Sequence, residues 1–323
     1  PPMLAIGALS CMAALACGAQ LAAQQFRPAD PSSIEVEEVR RIISVLASDD
    51  MRGRRAATAD AERAAAFLAH EFEAAGLEPL EGLQGYFQSF SARIREEPLV
   101  NVVGMIPGRR SDEFVLFSAH YDHIGIRPAV DGDSIANGAN DNASGTTAVV
   151  TLARYFAQRG RPERTLLFVA FTAEESGGYG SRYFSTQLDP DQVVAMFNIE
   201  MIGKPAVEGA NTAWLTGFER SSFGEILQEA VAGTEYSFYP DPYAAQNLFY
   251  RSDNATLARL GVPAHSISTT PIDVDRDYHQ VSDHVETLDM AHMTNTIRAI
   301  ALGAESIIAG DATPTRVDPA SVN

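Results

Sequence analysis

Two histidines and six carboxylates fall in five short motifs of this chain. The run ending Phe117-Ser118-Ala119 meets His120, with Asp122 two residues on. A strand that ends at a histidine presents its imidazole at the rim of a sheet. A carboxylate at i+2 lies on the same side and is placed to fix the ring's tautomer. In Gly138-Ala139-Asn140-Asp141-Asn142-Ala143-Ser144-Gly145, Asp141 falls just before a helix start, where free amides and the macrodipole favour a carboxylate. Glu174 and Glu175 follow the apolar Phe168-Val169-Ala170-Phe171, so one can bind a metal while its neighbour faces water. Glu200 closes Phe197-Asn198-Ile199, where a buried acid is costly without a cation. His279 follows Tyr278, with Asp283 behind it as a candidate orienting acid. Together these residues suit metal-assisted hydrolysis.

Composition narrows the choice of metal and partner. The only cysteines among 323 residues are Cys11 and Cys17, so the body of the chain has no cysteine-ligated zinc, disulfide framework or thiol nucleophile. Any transition metal must be held by imidazole and carboxylate. With 42 acidic against 24 basic side chains, the net charge of −18 repels phosphate backbones, which argues against a nucleic-acid partner. Lys204 is the sole lysine, so Schiff-base or P-loop chemistry would rest on it alone. A serine hydrolase finds only Gly132-Asp133-Ser134-Ile135-Ala136, which lacks the second glycine of a nucleophile elbow and follows no strand.

The elements that must carry these residues alternate. β-Rich runs cover 99–106, 114–119, 165–171, 193–199, 212–215 and 263–267. Helical spacing covers 35–46, 60–75, 144–158, 178–187, 221–232, 253–260 and 288–308, with Gly76 as a C-cap. That order predicts an α/β fold, a three-layer α/β/α sandwich whose mixed central sheet is mostly parallel, with ligands gathered at the carboxyl ends of its strands. His265 reads as a satisfied strand residue, and His70 and His292 as helix surface. The aromatic run from Tyr236 to Tyr250, broken by Pro240 and Pro242, reads as a wall of the substrate pocket.

The ordered set His-x-Asp, Asp-Asn-Ala-Ser-Gly, Glu-Glu after Phe-x-Ala-Phe, Asn-x-Glu-Met-Ile-Gly and Tyr-His resembles the co-catalytic zinc aminopeptidases. That family also contains glutamate carboxypeptidases and glutaminyl cyclases. The likeness runs from Leu46, through LASDDMRGRR and a helix ending AAGLEPL, to about Ile308. It implies a zinc-dependent exopeptidase, most simply an aminopeptidase, holding two Zn²⁺ and acting on peptides. His120 and Glu175 would hold one ion and Glu200 and His279 the other, with Asp141 bridging and preceding a cis peptide bond to Asn142. Glu174 would be the general base toward a metal-bridged water, and Asp122 would orient His120. Tyr278 and Tyr243 are candidate donors to the oxyanion.

Two positions depart from the family. Glu200 stands where the aminopeptidases have Asp and related carboxypeptidases carry Glu, so carboxypeptidase-type cleavage is an alternative. Asn254, in Tyr250-Arg251-Ser252-Asp253-Asn254, replaces a histidine and concerns the pocket rather than the metals. Glutaminyl cyclisation is a second alternative on the same scaffold. A non-enzymatic relative is disfavoured, because every ligand position and Glu174 are kept. No large insertion between Leu80 and Leu99 provides the protease-associated domain of some relatives. Residues 3–23 have the length of a signal-peptide apolar region with its cleavage site. Residues 14–18 read as a lipoprotein processing site that would acylate Cys17 as a lipid anchor. The organisation expected is therefore a signal peptide or lipoprotein leader over 1–26, a catalytic domain over 27–310 and a flexible tail over 311–323. The product would be exported: periplasmic, lipid-anchored or secreted.

Overall fold

The computed structural model describes residues 26–94 and 96–322. All of the expected leader except Phe26, with Cys11 and Cys17, lies outside the described residues. Among the latter, no helix is long and apolar enough to cross a membrane.

The period-2 pattern in the apolar runs builds a central sheet buried on both faces. Strands β3 (Leu99–Ile106), β4 (Arg110–His120), β7 (Arg164–Phe171) and β8 (Val193–Ile199) form its middle with β11 (Ala264–Ser268). Val102, Val115, Phe117, Leu166, Phe168 and Phe197 join one apolar cluster. Their neighbours Val103, Leu116, Leu167, Val169 and Met196 join the other. Each such side chain, taken fully out of water, contributes roughly 1.5–3 kcal/mol. This is the condition under which parallel strands are found. β7, β4, β8 and β11 are parallel in that spatial order. Antiparallel pairs flank them: β7 with β3, β3 with β1 (Glu78–Pro79) and β2 (Phe87–Phe90), and β11 with β9 (Thr212–Leu215). β10 (Ser237–Pro240) runs parallel to β9 at the far edge. A separate hairpin joins β5 (Gly125–Val130) to β6 (Asp133–Ala136).

The first face is covered by α1 (Val36–Leu46), α2 (Ala59–Ala75), α3 (Gly145–Ala157), α5 (Phe223–Ala230) and α7 (Met290–Gly303). Thr58 caps α2 by accepting the Ala61 amide, and Gly76 at φ 82° ends it, as its sequence predicts. The helix expected over 288–308 is two, with α8 (Glu305–Ile308) following α7. The second face has only the short helices α4 (Tyr179–Ser185) and α6 (Asn254–Ala258). The C-terminal segment completes its cover, contrary to the flexible tail expected from Pro, Thr and Asp content. Val317 and Val322 are buried in the second cluster, the Val317 amide bonds Gly261 O, and Arg164 donates to Ala312 O and Thr313 Oγ1. Apolar residues spaced five apart were too sparse to reveal this in the sequence.

Candidate metal centre

Register brings the chemistry to one rim. His120 on β4 pairs with Phe171 at the end of β7, and Ser118 pairs with Asn198 two residues before Glu200. Ser118, Asn198 and Ser266 form a polar row beneath that rim. Ser118 Oγ donates to Asn198 Oδ1, and Asn198 Nδ2 donates to Ser266 Oγ and to Ser252 Oγ. Ser252 Oγ in turn donates to Glu200 Oε2 at 2.7 Å. Asn254 accepts from Ser266 Oγ and donates to Phe249 O, so this departure from the family packs the row and does not line the cleft.

The Asn-Asp-Asn segment is stitched in place by its own side chains. Asn140 Oδ1 accepts the Gly203 amide, and Asn142 Oδ1 accepts those of Gly145 and Met201. The Asp141–Asn142 peptide is cis, as the resemblance implies. Gly145 is required where α3 meets β8, because a Cβ there would stand 2.1 Å from Ile199 O. Ala173, Met201 and His279 hold left-handed φ of 60°, 52° and 59°, each at or beside a site residue. Such conformations, costly for non-glycine residues, persist only where the surroundings fix them.

The side chains converge around Asp141. On its Oδ1 side, His120 Nε2 lies 3.5 Å away and 3.0 Å from Glu200 Oε1. On its Oδ2 side, His279 Nε2 lies at 3.1 Å and is 3.2 Å from Glu175 Oε2. The geometry therefore corrects the expected pairing. His120 goes with Glu200, and Glu175 with His279, because β4 and β8 are neighbours whereas Glu175 turns away from β7 toward the 279 loop. Asp141 is shared, as expected.

Asp122 also differs from its expected role. His120 Nδ1 meets the backbone carbonyl of Asp122 at 3.0 Å, while the carboxylate is 3.9 Å off. Asp122 Oδ1 accepts the Glu174 amide instead, so it fixes the base rather than the ligand. Asp283 likewise accepts the amides of Asn140 and Asp141, not His279. Tyr278 stacks on His279 at 4.0 Å and lines the cleft. Tyr243 packs edge-on behind Trp214 and is not among the lining residues. His265 is buried between Ser221 and Thr216 O, as a satisfied strand residue should be. His70 is exposed, but His292, expected at the surface, is buried.

Sequence reading missed His123 and Arg54. His123 is fully buried and donates from Nδ1 to Glu175 Oε1 at 2.8 Å, with the Asp141 carboxylate 3.7 Å away. The spacing His-x-x-His was its only signal, obscured by the stronger His-x-Asp. Arg54 is buried and gives its guanidinium to four carbonyls, of Leu46, Tyr121, Asn137 and Gly138. Burial lowers its pKa to about 10 despite the nearby charges of Asp283, Asp122, Asp141 and Glu175.

The electrostatics are those of a place that lacks positive charge. Burial would lower His279, but hydrogen bonds to Asp141 and Glu175 outweigh it and raise the ring to about 10. His120 is likewise raised well above its ordinary value, chiefly by Glu200 against burial. Burial would raise Glu175, yet His123 and His279 hold it below the usual carboxylate range. The carboxylates around both rings favour positive charge there, as they would favour a cation. Donor atoms of His120, Asp141 and Glu200 lie within 4.8 Å of one another, as do those of His123, Asp141 and Glu175. His123 Nε2 is buried with no hydrogen-bond partner. Imidazole and carboxylate donors around a shared carboxylate fit zinc, and fit a pair of ions.

Glu174 stands apart from both donor sets. Burial pushes its carboxyl well above its ordinary range, against the pull of His120, and Asp253, Glu200 and Glu175 add to the rise. It lines a cleft with the donors, Tyr278 and the apolar Met201, Trp214, Leu248 and Ile272.

An α/β/α sandwich carrying a buried His and carboxylate cluster at its strand ends defines a class of metal-dependent hydrolase folds. The family model described as Peptidase family M28 matches residues 101–303, and the chain belongs to that family. It is 30% identical over 216 residues to a probable leucine aminopeptidase 1 of Trichophyton verrucosum, covering 62% of this chain and 56% of that protein. It is 36% identical over 125 residues to a probable zinc metalloprotease of Leptosphaeria maculans, covering 38% and 28%. The chain thus spans about half or less of these curated relatives. The Legionella pneumophila LapA aminopeptidase superposes with a TM-score of 0.66 at 19% identity, covering 86% of this chain and 73% of that one. The Bacteroides thetaiotaomicron glutaminyl cyclase does so with 0.65 at 18%, covering 86% and 99%. Both likenesses confirm the sandwich fold.

Proposed function

We propose that the protein is a two-zinc exopeptidase that removes the amino-terminal residue of peptides. The observation that carries this reading is a carboxyl, Glu174, held beside two donor pairs, His120 with Glu200 and Glu175 with His279, that share Asp141. His120 and Glu200 would hold one ion and Glu175 and His279 the other, with Asp141 between them. Bound there, zinc would acidify a water and polarise the scissile carbonyl. Glu174, its amide fixed by Asp122, takes the proton from the attacking water and delivers it to the departing amine. Its raised affinity for a proton suits that relay. Tyr278 faces the cleft with its phenol kept protonated, by burial first and then by Asp141 and Glu175, and donates to the oxyanion. The apolar wall of Met201, Trp214, Leu248 and Ile272 suits an apolar side chain.

The test is a panel of N-blocked, C-blocked and free dipeptides, plus an N-terminal glutaminyl peptide, incubated with zinc-loaded protein. Cleavage that requires a free amino group supports the reading. Cleavage that survives N-blocking would make the enzyme a carboxypeptidase, and pyroglutamate without hydrolysis would make it a cyclase.

A further inference from the structure

The metal cleft continues into a second cleft with a different character. The two share Glu174, Arg251 and Ser252. The second is also lined by Arg182 and Arg259, and Glu174 is its only acidic lining residue. None of the three guanidinium groups makes a hydrogen bond or ion pair among the described residues, and all three arginines are exposed. Several other arginines are paired with carboxylates: Arg41 and Arg154 with Glu71, Arg110 and Arg164 with Glu113, Arg159 with Glu305. Three cations lining one hollow, in a chain of net charge −18, make it a local exception that favours an anion.

Position says which anion. Ser252, next to Arg251, bonds the Glu200 carboxylate, so the basic cleft begins one residue from the donor set. An extended chain advances about 3.3–3.6 Å per residue, so a free carboxyl follows the scissile bond closely only in a very short peptide. We propose that Arg251, Arg182 and Arg259 form an anion subsite for the leaving portion of the substrate. It selects dipeptides with an unblocked carboxylate, and most strongly those ending in Asp or Glu. The zwitterion is then aligned by charge: its amine faces the acidic metal cleft and its carboxylates face the arginines. This deepens the exopeptidase reading and rests on it for polarity.

Binding tests it without turnover, because the sole tryptophan, Trp214, lines the metal cleft and reports occupancy by its fluorescence. Zinc-loaded Glu174→Gln protein is titrated with Leu-Glu, Leu-Gln and Leu-Gln amide, with and without Arg251→Gln, Arg182→Gln and Arg259→Gln together. A charge-assisted hydrogen bond changes affinity by about 10–100-fold. Leu-Glu is expected to bind most tightly and the amide at least tenfold more weakly than Leu-Gln. The triple variant should abolish that order while leaving amide binding unchanged. Equal affinities for acid and amide, or equal losses for both in the variant, would overturn the subsite. If wild-type protein cleaves none of these peptides yet binds them in the expected order, the exopeptidase reading fails and the subsite stands.

Discussion

Arg54 offers a severe test of how the fold holds its site. It lies far from the metal cluster in sequence but bonds Tyr121 O, next to His120, and Gly138 O, shortly before Asp141. Arg54→Met keeps the buried stem and removes every donor, stranding the carbonyls of Leu46, Tyr121 and Asn137, whereas Gly138 O keeps the Ala143 amide. At about 1–3 kcal/mol for each unsatisfied buried group, the loss is roughly 3–9 kcal/mol. That is comparable with the whole stability of a typical domain, about 5–15 kcal/mol. The variant should be insoluble or melt far below the wild type. Arg54→Lys keeps the charge and three donors but not the planar fork that reaches carbonyls on separate segments at once, so one bond is lost at about 1–3 kcal/mol. At about 2 °C per kcal/mol, its melting temperature should fall by roughly 2–6 °C. Scanning calorimetry of zinc-free protein decides. An Arg54→Met variant melting within about 2 °C of the wild type would refute the claim that these carbonyls depend on Arg54.

Other expectations follow from the same geometry. Glu174→Gln should retain both metals by elemental analysis and lose about 10²–10⁴-fold in turnover; near wild-type rates would remove Glu174 from the chemistry. Asp141→Ala should leave at most one zinc per chain after dialysis. His123→Ala removes the hydrogen bond that sets Glu175, so one of two zinc equivalents should bind about 10–100-fold more weakly in a chelator competition; two equal losses would contradict the pairing of Glu175 with His279. Burial, opposed by Thr216 O, lowers His265 to about 4 from 6.5. A depressed pKa contributes stability that is present above pH 6.5 and lost as pH falls through 4, here about 3 kcal/mol. In zinc-free protein the melting-temperature gap between wild type and His265→Gln should narrow across that interval, and a constant gap would contradict it.

What the sequence made legible was whatever a local pattern encodes. The alternating runs at 165–171 and 193–199 place β7 and β8, and their terminal acids and His120 are where a parallel sheet presents ligands. The pairing of those ligands was not legible, because it depends on spatial strand order, β7-β4-β8-β11, which local spacing does not contain. The same holds for Asp122, whose carboxylate serves Glu174 from the neighbouring strand rather than its own histidine. The β5–β6 hairpin was legible and overlooked. Asp131 and Gly132, at φ 53° and 91°, are the Asp-Gly pair that favours a two-residue hairpin turn. Arg54 was illegible for another reason: a buried arginine satisfied entirely by carbonyls leaves no charged partner to find.

These long-range contacts have a common cause. The catalytic rim gathers Asp122, Asp141, Glu174, Glu175, Glu200, Asp253 and Asp283, which repel one another wherever they are ionised. Burial raises Asp122 to about 7 and Asp253 and Asp283 to about 6, so the interior resists holding all of them as anions. The fold answers from behind with Arg54 and from within with His120 and His279, whose rings the carboxylates hold toward the protonated form. The shared Asp141 has His120 3.5 Å from one carboxylate oxygen and His279 3.1 Å from the other. A protein built this way should gain stability from divalent cations even when it cannot turn over. Zinc at a hundred times its dissociation constant stabilises by about 2.7 kcal/mol per site, provided the unfolded chain does not bind it. In Glu174→Gln, whose donors are intact, the melting temperature should therefore rise on adding zinc as in the wild type. In Asp141→Ala most of that rise should vanish. A rise of the same size in Asp141→Ala would place the cations somewhere other than this rim.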